Sequence, residues 1–123
     1  MANKNNQRET IMAHKSMTEG QIQTLVENCL MANGCNNENA AAVARTIAAA
    51  ERDGCASHGL FRLPGYIASL RSGKVNGNAK PSVSRISPAV IRVDGDHGYA
   101  PLALEAGRAA LLEAARENGI AAM

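Results

Sequence analysis

The chain has 123 residues, 46% of them apolar, 20% charged and only 2% aromatic, with a formal net charge of +2. Trp is absent, Tyr occurs twice and Phe once, so the chain has the length of about one domain with an aliphatic core, and platforms for stacking nucleic-acid bases are missing. The cations are scattered rather than gathered into a stripe, and no apolar run approaches the ~20 residues of a membrane helix. Nucleic acid and membrane are therefore excluded as expected partners.

Cys29, Cys35 and Cys55 are odd in number and form no C-x-x-C pair, which argues against a disulfide framework or a zinc finger. Reduced thiols and a cytoplasmic location are expected. Residues 1–16, MANKNNQRETIMAHKS, mix charges without a hydrophobic centre and read as a disordered leader, with His14 inert inside it, rather than a signal peptide. Residues 17–123 follow as one unit.

Thr18 and Gln21 form a capping box for a first helix, with Met17 and Ile22 as its hydrophobic staple. Ile22, Leu25, Val26, Cys29 and Leu30 recur on one face, which places Cys29 in the core, and Gly34 is the stop. Asn36 and Asn37 can cap a second helix that runs through Ala40, Val43, Ala44, Ile47 and Ala48 to Asp53 and ends at Gly54. Ser57 reads as the cap of a third helix through Leu70, closed by Gly73 and kinked where Pro64 removes a backbone donor.

From Lys80 the period becomes extended. Ser82-Val83-Ser84-Arg85-Ile86 and Ala89-Val90-Ile91-Arg92-Val93 read as strands, the second ending at the turn Asp94-Gly95-Asp96. Pro101 suits the first turn of a helix carrying Leu104, Ala106, Leu111 and Ala114 to Asn118, with Gly119 after it. Ile120 to Met123 begins another strand, so that strand, crossover helix and strand predict a parallel pairing in a mixed sheet. The fold class expected is α+β: helices first, then strand, strand, helix, strand. A domain seldom closes on the start of an inner strand, so the chain reads as truncated at its carboxyl end.

The densest polar segment is Asp53-Gly54-Cys55-Ala56-Ser57-His58-Gly59-Leu60-Phe61-Arg62-Leu63-Pro64-Gly65-Tyr66. On a helix begun at Ser57, His58 and Arg62 project from one face about one turn, ~5.4 Å, apart. An Arg fork can hold a carboxylate while a His one turn away exchanges a proton at the adjacent carbon's oxygen, a fit for a small 2-oxo acid. Ser57 could orient or polarise the imidazole. Spacing alone leaves the alternative open that His58 packs locally and Arg62 is a solvated charge. Tyr66, one turn beyond Arg62, could equally wall the pocket or pack in the core.

Two other constellations fail. Gly95-Asp96-His97-Gly98 lacks the G-x-G-x-x-G pattern and later acidic residue of a Rossmann loop. Asp94, Asp96 and His97 have the short polar spacing of a solvated turn rather than a metal site, so no metal is expected. Arg108, Glu113, Arg116 and Glu117 read as solvent-facing charges.

The stretch DGCASHGLFRLPGYIASLRSGKVN, followed by PAVIRVDGDHGYA and GIAAM, resembles the amino-terminal part of the malate/L-lactate dehydrogenase family of NAD(P)-dependent oxidoreductases, which are distinct from the Rossmann-type lactate and malate dehydrogenases. The likeness runs from Thr18 to Met123, and S-H-G-x-x-R is its most specific motif. It implies that Ser57 and His58 are the active-site pair, that Arg62 binds the substrate carboxylate, that NAD or NADP is the cofactor, and that the full-length protein is a homodimer. It also implies that a further acidic residue, a second histidine segment and most of the cofactor site lie outside this chain, which by itself is expected to be inactive. FRLPGY is similar to the branch that reduces cyclic imino acids. The expected function is hydride transfer between a nicotinamide and a small 2-hydroxy, 2-oxo or cyclic 2-imino acid. The competing expectation is a non-catalytic helical module for substrate binding or dimerisation.

Overall fold

Thr18 opens the first helix, α1 (Glu19–Met31), in the computed structural model, which describes residues 15–123. The expected leader, apart from Lys15 and Ser16, lies outside the described residues, as does His14. The Thr18 hydroxyl accepts from the Gln21 amide at 3.2 Å and the Thr18 amide donates back to Gln21 Oε1 at 2.9 Å, so each residue's side-chain oxygen satisfies the other's otherwise orphaned amide. Ile22, Val26 and Leu30 are buried. The apolar face is narrower than the sequence suggests. Leu25 is 40% exposed and Cys29 is only half-buried against the core, because these residues fall at the flanks of the stripe that meets the second helix.

That helix, α2 (Asn37–Arg52), is capped by Asn36, whose Oδ1 accepts from the Asn39 amide at 3.0 Å. Ala40, Val43, Ala44, Ile47 and Ala48 are all fully buried. Their small size lets α1 and α2 approach closely, and Leu30 and Val26 fill the space between.

The expected single helix from Ser57 to Leu70 is replaced by three pieces: 3-10 turns at Ala56–His58 and Leu60–Arg62, and a short α-helix, α3 (Leu63–Arg71). The break lies at Gly59, whose φ of −86° and ψ of −141° are not helical. Pro64 consequently falls in the first turn of α3, where a missing amide costs nothing, so no kink forms.

Strands β1 (Ser82–Ser87) and β2 (Val90–Asp94) form an antiparallel hairpin pairing Val83 with Val93 and Arg85 with Ile91, with an irregularity between Arg85 and Ser87. Helix α4 (Ala100–Asn118) carries Pro101 in its first turn and ends at Gly119, φ 78°. It packs across β2 through Gly107, where an added Cβ would meet Val93 Cγ2 at 2.6 Å. The chain then returns to the sheet. Ala122 pairs in parallel with Val90, its carbonyl accepting from the Ile91 amide and its amide donating to the Ala89 carbonyl, both at 2.8 Å. The α+β class matches the sequence expectation, whereas the expected strand at residues 120–123 is present only as this isolated parallel bridge beside a two-stranded antiparallel sheet.

The turn after β2 is anchored to the helices. Asp96 and His97 both adopt left-handed backbone, φ 50° and 56°. The Asp96 carboxylate accepts from the Lys80 amide at 3.0 Å and from Asn76 Nδ2 at 3.2 Å, and the His97 carbonyl accepts from the Asn76 amide. Asn39, fully buried on α2, donates to the Ala79 carbonyl at 2.9 Å and ties that loop down.

Candidate functional site

The segment between α2 and α3 is built from backbone turns rather than a continuous helix. The Cys55 amide donates to Ala50 O and the His58 amide to Cys55 O, both at 2.8 Å, which folds Ala56–His58 against the end of α2. Ser57 Oγ and His58 Nδ1 then lie 3.0 Å apart. With Nδ1 engaged, Nε2 is the ring nitrogen left to meet a ligand. A hydroxyl both donates and accepts, so it can partner either form of the imidazole.

Past Gly59, the Arg62 amide donates to Gly59 O at 2.9 Å and closes the second turn. His58 and Arg62 therefore sit on successive 3-10 turns and not on one α-helical face, a correction to the helical spacing that the sequence suggests. Ser57, His58 and Arg62 are all exposed.

Arg62 lines a cleft of about 530 Å³ together with Phe61, Gly65, Tyr66, Val75 and Tyr99. His58 stands on the preceding turn, outside that lining. Tyr66 is half-buried, so it both walls this cleft and packs inward. Its ring meets Tyr99 edge-on, centroids 5.0 Å apart at 78°, and the Tyr99 hydroxyl donates to the Tyr66 carbonyl at 2.6 Å. Burial pushes the Tyr99 phenol up to about 12, with Cys35 and Tyr66 adding to the effect. Tyr99 is the site residue that the sequence reading misses. Its only signal is scarcity: Phe61, Tyr66 and Tyr99 are all the aromatic residues of the chain, and all three line one cleft.

The other polar constellation behaves as a turn. Among the described residues no group of three His, Cys, Asp or Glu side chains could hold a metal ion. Asp94 Oδ1 accepts from the Asp96 amide at 2.9 Å and Asp96 binds the 76–80 loop, so these carboxylates are spent on backbone. The same strand-to-helix turn is a poor cradle for a nicotinamide dinucleotide, because it presents acidic side chains where a pyrophosphate needs free amides.

The α+β frame thus displays a Ser-His pair and an arginine on consecutive 3-10 turns beside an aromatic cleft. The sequence profile described as malate/L-lactate dehydrogenase matches residues 17–123, and the chain belongs to that family. Delta(1)-pyrroline-2-carboxylate reductase of Ancylobacter novellus is 52% identical over 103 residues, covering 84% of this chain and 30% of that protein. A (2R)-3-sulfolactate dehydrogenase (NADP(+)) of Chromohalobacter salexigens is 44% identical over 103 residues, covering 84% and 31%. Among solved structures, delta1-piperideine-2-carboxylate reductase from Pseudomonas syringae pv. tomato superimposes with a TM-score of 0.81 at 39% identity, over 85% of this chain and 31% of that one. The chain thus spans about a third of the length of the relatives it matches.

Proposed function

We propose that the protein is a nicotinamide-dependent oxidoreductase that interconverts a small 2-oxo or cyclic 2-imino acid with its reduced form. The observation that carries this reading is the Ser57–His58 hydrogen bond held one turn before Arg62, within a chain whose relatives are named as reductases and dehydrogenases of small carboxylates. Those names give no support to the non-catalytic alternative. Identity with the pyrroline-2-carboxylate reductase favours a cyclic imino acid as substrate, and the Arg62 cleft walled by Phe61 and Tyr66 offers apolar surface for a ring. NADP is the cofactor named for the sulfolactate relative; NAD and NADP both remain within the proposal.

In this reading Arg62 grips the carboxylate through its planar fork. The nicotinamide supplies or receives the hydride. His58 manages the proton: as imidazolium it donates from Nε2 during reduction, and as neutral imidazole it accepts there during oxidation. Ser57 supports both forms, accepting from protonated Nδ1 in each case, and so keeps Nε2 turned outward. Homodimerisation follows the family resemblance, and a cytoplasmic location rests on the unpaired thiols.

In the full-length protein His58→Ala is expected to lower kcat by about 10²- to 10⁴-fold, the range of general acid–base catalysis, while Arg62→Ala mainly raises KM for the carboxylate. Steady-state kinetics check both. Wild-type turnover from the two variants would remove the assignment.

A further inference from the structure

Glu51 sits in the last turn of α2, on the same face as the fully buried Ile47 and Ala48. Its neighbour Arg52 pairs with Asp53 at 2.8 Å and Glu19 at 3.3 Å, and among the described residues Glu51 itself makes no ion pair. Its carboxylate reaches across to the site segment instead, where Oε1 accepts from the Leu60 amide at 2.6 Å. Leu60 is the first residue of the second 3-10 turn, so its amide is one of the donors that the turn cannot satisfy internally. A carboxylate there makes a charge-assisted bond stronger than a neutral one.

Gly59 is part of the same arrangement. It is buried, and a Cβ built on it would overlap the Glu51 carboxyl group. A glycine between two short turns is otherwise the freest joint in the segment, and it lies between His58 and Arg62. The carboxylate occupies the place a side chain would take and holds the joint from outside.

We propose that Glu51 is the positioning residue of the site: from the rigid α2 it clamps the Gly59–Leu60 peptide and thereby fixes how His58 and Arg62 are presented to one substrate. The proposal rests on the functional reading above for its catalytic consequence. It adds to that reading an acidic residue that touches neither substrate nor cofactor and acts through the two that do.

Three single variants and one double variant of the full-length protein test it: Glu51→Gln, Glu51→Ala, Gly59→Ala, and the last two combined. Glu51→Ala is expected to lower kcat and raise KM together, with kcat/KM down about 10- to 100-fold, the cost of a misplacement on the ångström scale. Both parameters move because both groups lose their relative placement, unlike the separate effects of altering His58 or Arg62. Glu51→Gln retains an acceptor oxygen and should recover most of the loss. Gly59→Ala expels the carboxylate and should resemble Glu51→Ala, and it should cost little more once Glu51 is already Ala. The Leu60 amide should exchange with solvent faster in Glu51→Ala and Gly59→Ala.

Wild-type kcat and KM in Glu51→Ala overturn the proposal, as does a Gln variant no better than the Ala variant, or a fully additive double variant. If Glu51→Ala does not fold, Gly59→Ala decides it, and wild-type kcat and KM in that variant overturn the proposal. A wild-type protein inert toward every substrate would instead refute the functional reading. The clamp is then judged from the Leu60 amide, whose exchange with solvent must quicken in Glu51→Ala if the clamp exists and stay unchanged if it does not.

Discussion

At the scale of single residues, the site is a set of short-range bonds that each fix one atom. Ser57 holds His58 Nδ1, and Tyr99 holds the Tyr66 carbonyl beneath the Arg62 cleft. The Tyr99 bond has a pH signature. Its phenol titrates near 10 when exposed and is pushed up to about 12 in the fold by burial, so the folded state favours the protonated form. Its contribution to stability is therefore complete below pH 10 and is lost as pH rises from 10 toward about 12. Denaturant titrations across that window should show a decline in stability that Tyr99→Phe lacks; equal slopes in the two proteins would contradict the assignment. Residue identities were the most legible part of the sequence, because a hydroxyl, an imidazole and a guanidinium in six positions limit the chemistry before any geometry is known. Tyr99 was not legible, since nothing in the local pattern around position 99 points across the fold to Tyr66.

At the scale of elements, termini were read well and backbone continuity was not. Thr18, Asn36, Gly34 and Gly119 stand where side-chain caps and left-handed glycines end helices. Thr18→Ala removes one half of a reciprocal pair and is expected to lower stability by about 1 kcal/mol, measured as a shift in denaturant midpoint with an unchanged slope; no shift would mean the box is open in solution. The third helix fails for a reason the one-dimensional pattern does not carry. His58, Arg62 and Tyr66 do recur at helical spacing, but Gly59 leaves the helical region with φ −86° and ψ −141°, Glu51 satisfies the Leu60 amide from outside the segment, and the chain forms two 3-10 turns instead. Leu25 teaches the same lesson. Its position in the apolar stripe of α1 is real, yet α2 covers only part of that stripe, and Leu25 lies instead in a groove with Leu63, Pro64 and Ile67.

At the scale of the whole molecule, the helical layer and the sheet layer divide the work. The α1–α2 pair is the rigid base from which Glu51 and the site turns project, and the β1–β2 hairpin with α4 brings Tyr99 beneath Tyr66. The return of the chain to the sheet after α4 was legible because extended periods, a helix and a further extended run in that order leave a right-handed crossover as the favoured path. The parallel pairing appears as a single bridge at Ala122. The proposed reduction of a small cyclic 2-imino or 2-oxo acid by a nicotinamide is tested most directly by giving the full-length protein NADH or NADPH with delta1-pyrroline-2-carboxylate, delta1-piperideine-2-carboxylate, pyruvate or oxaloacetate and following cofactor oxidation. Substrate-dependent oxidation with a cyclic imino acid preferred is the expected result; no oxidation with any pair of cofactor and substrate would contradict the proposed function.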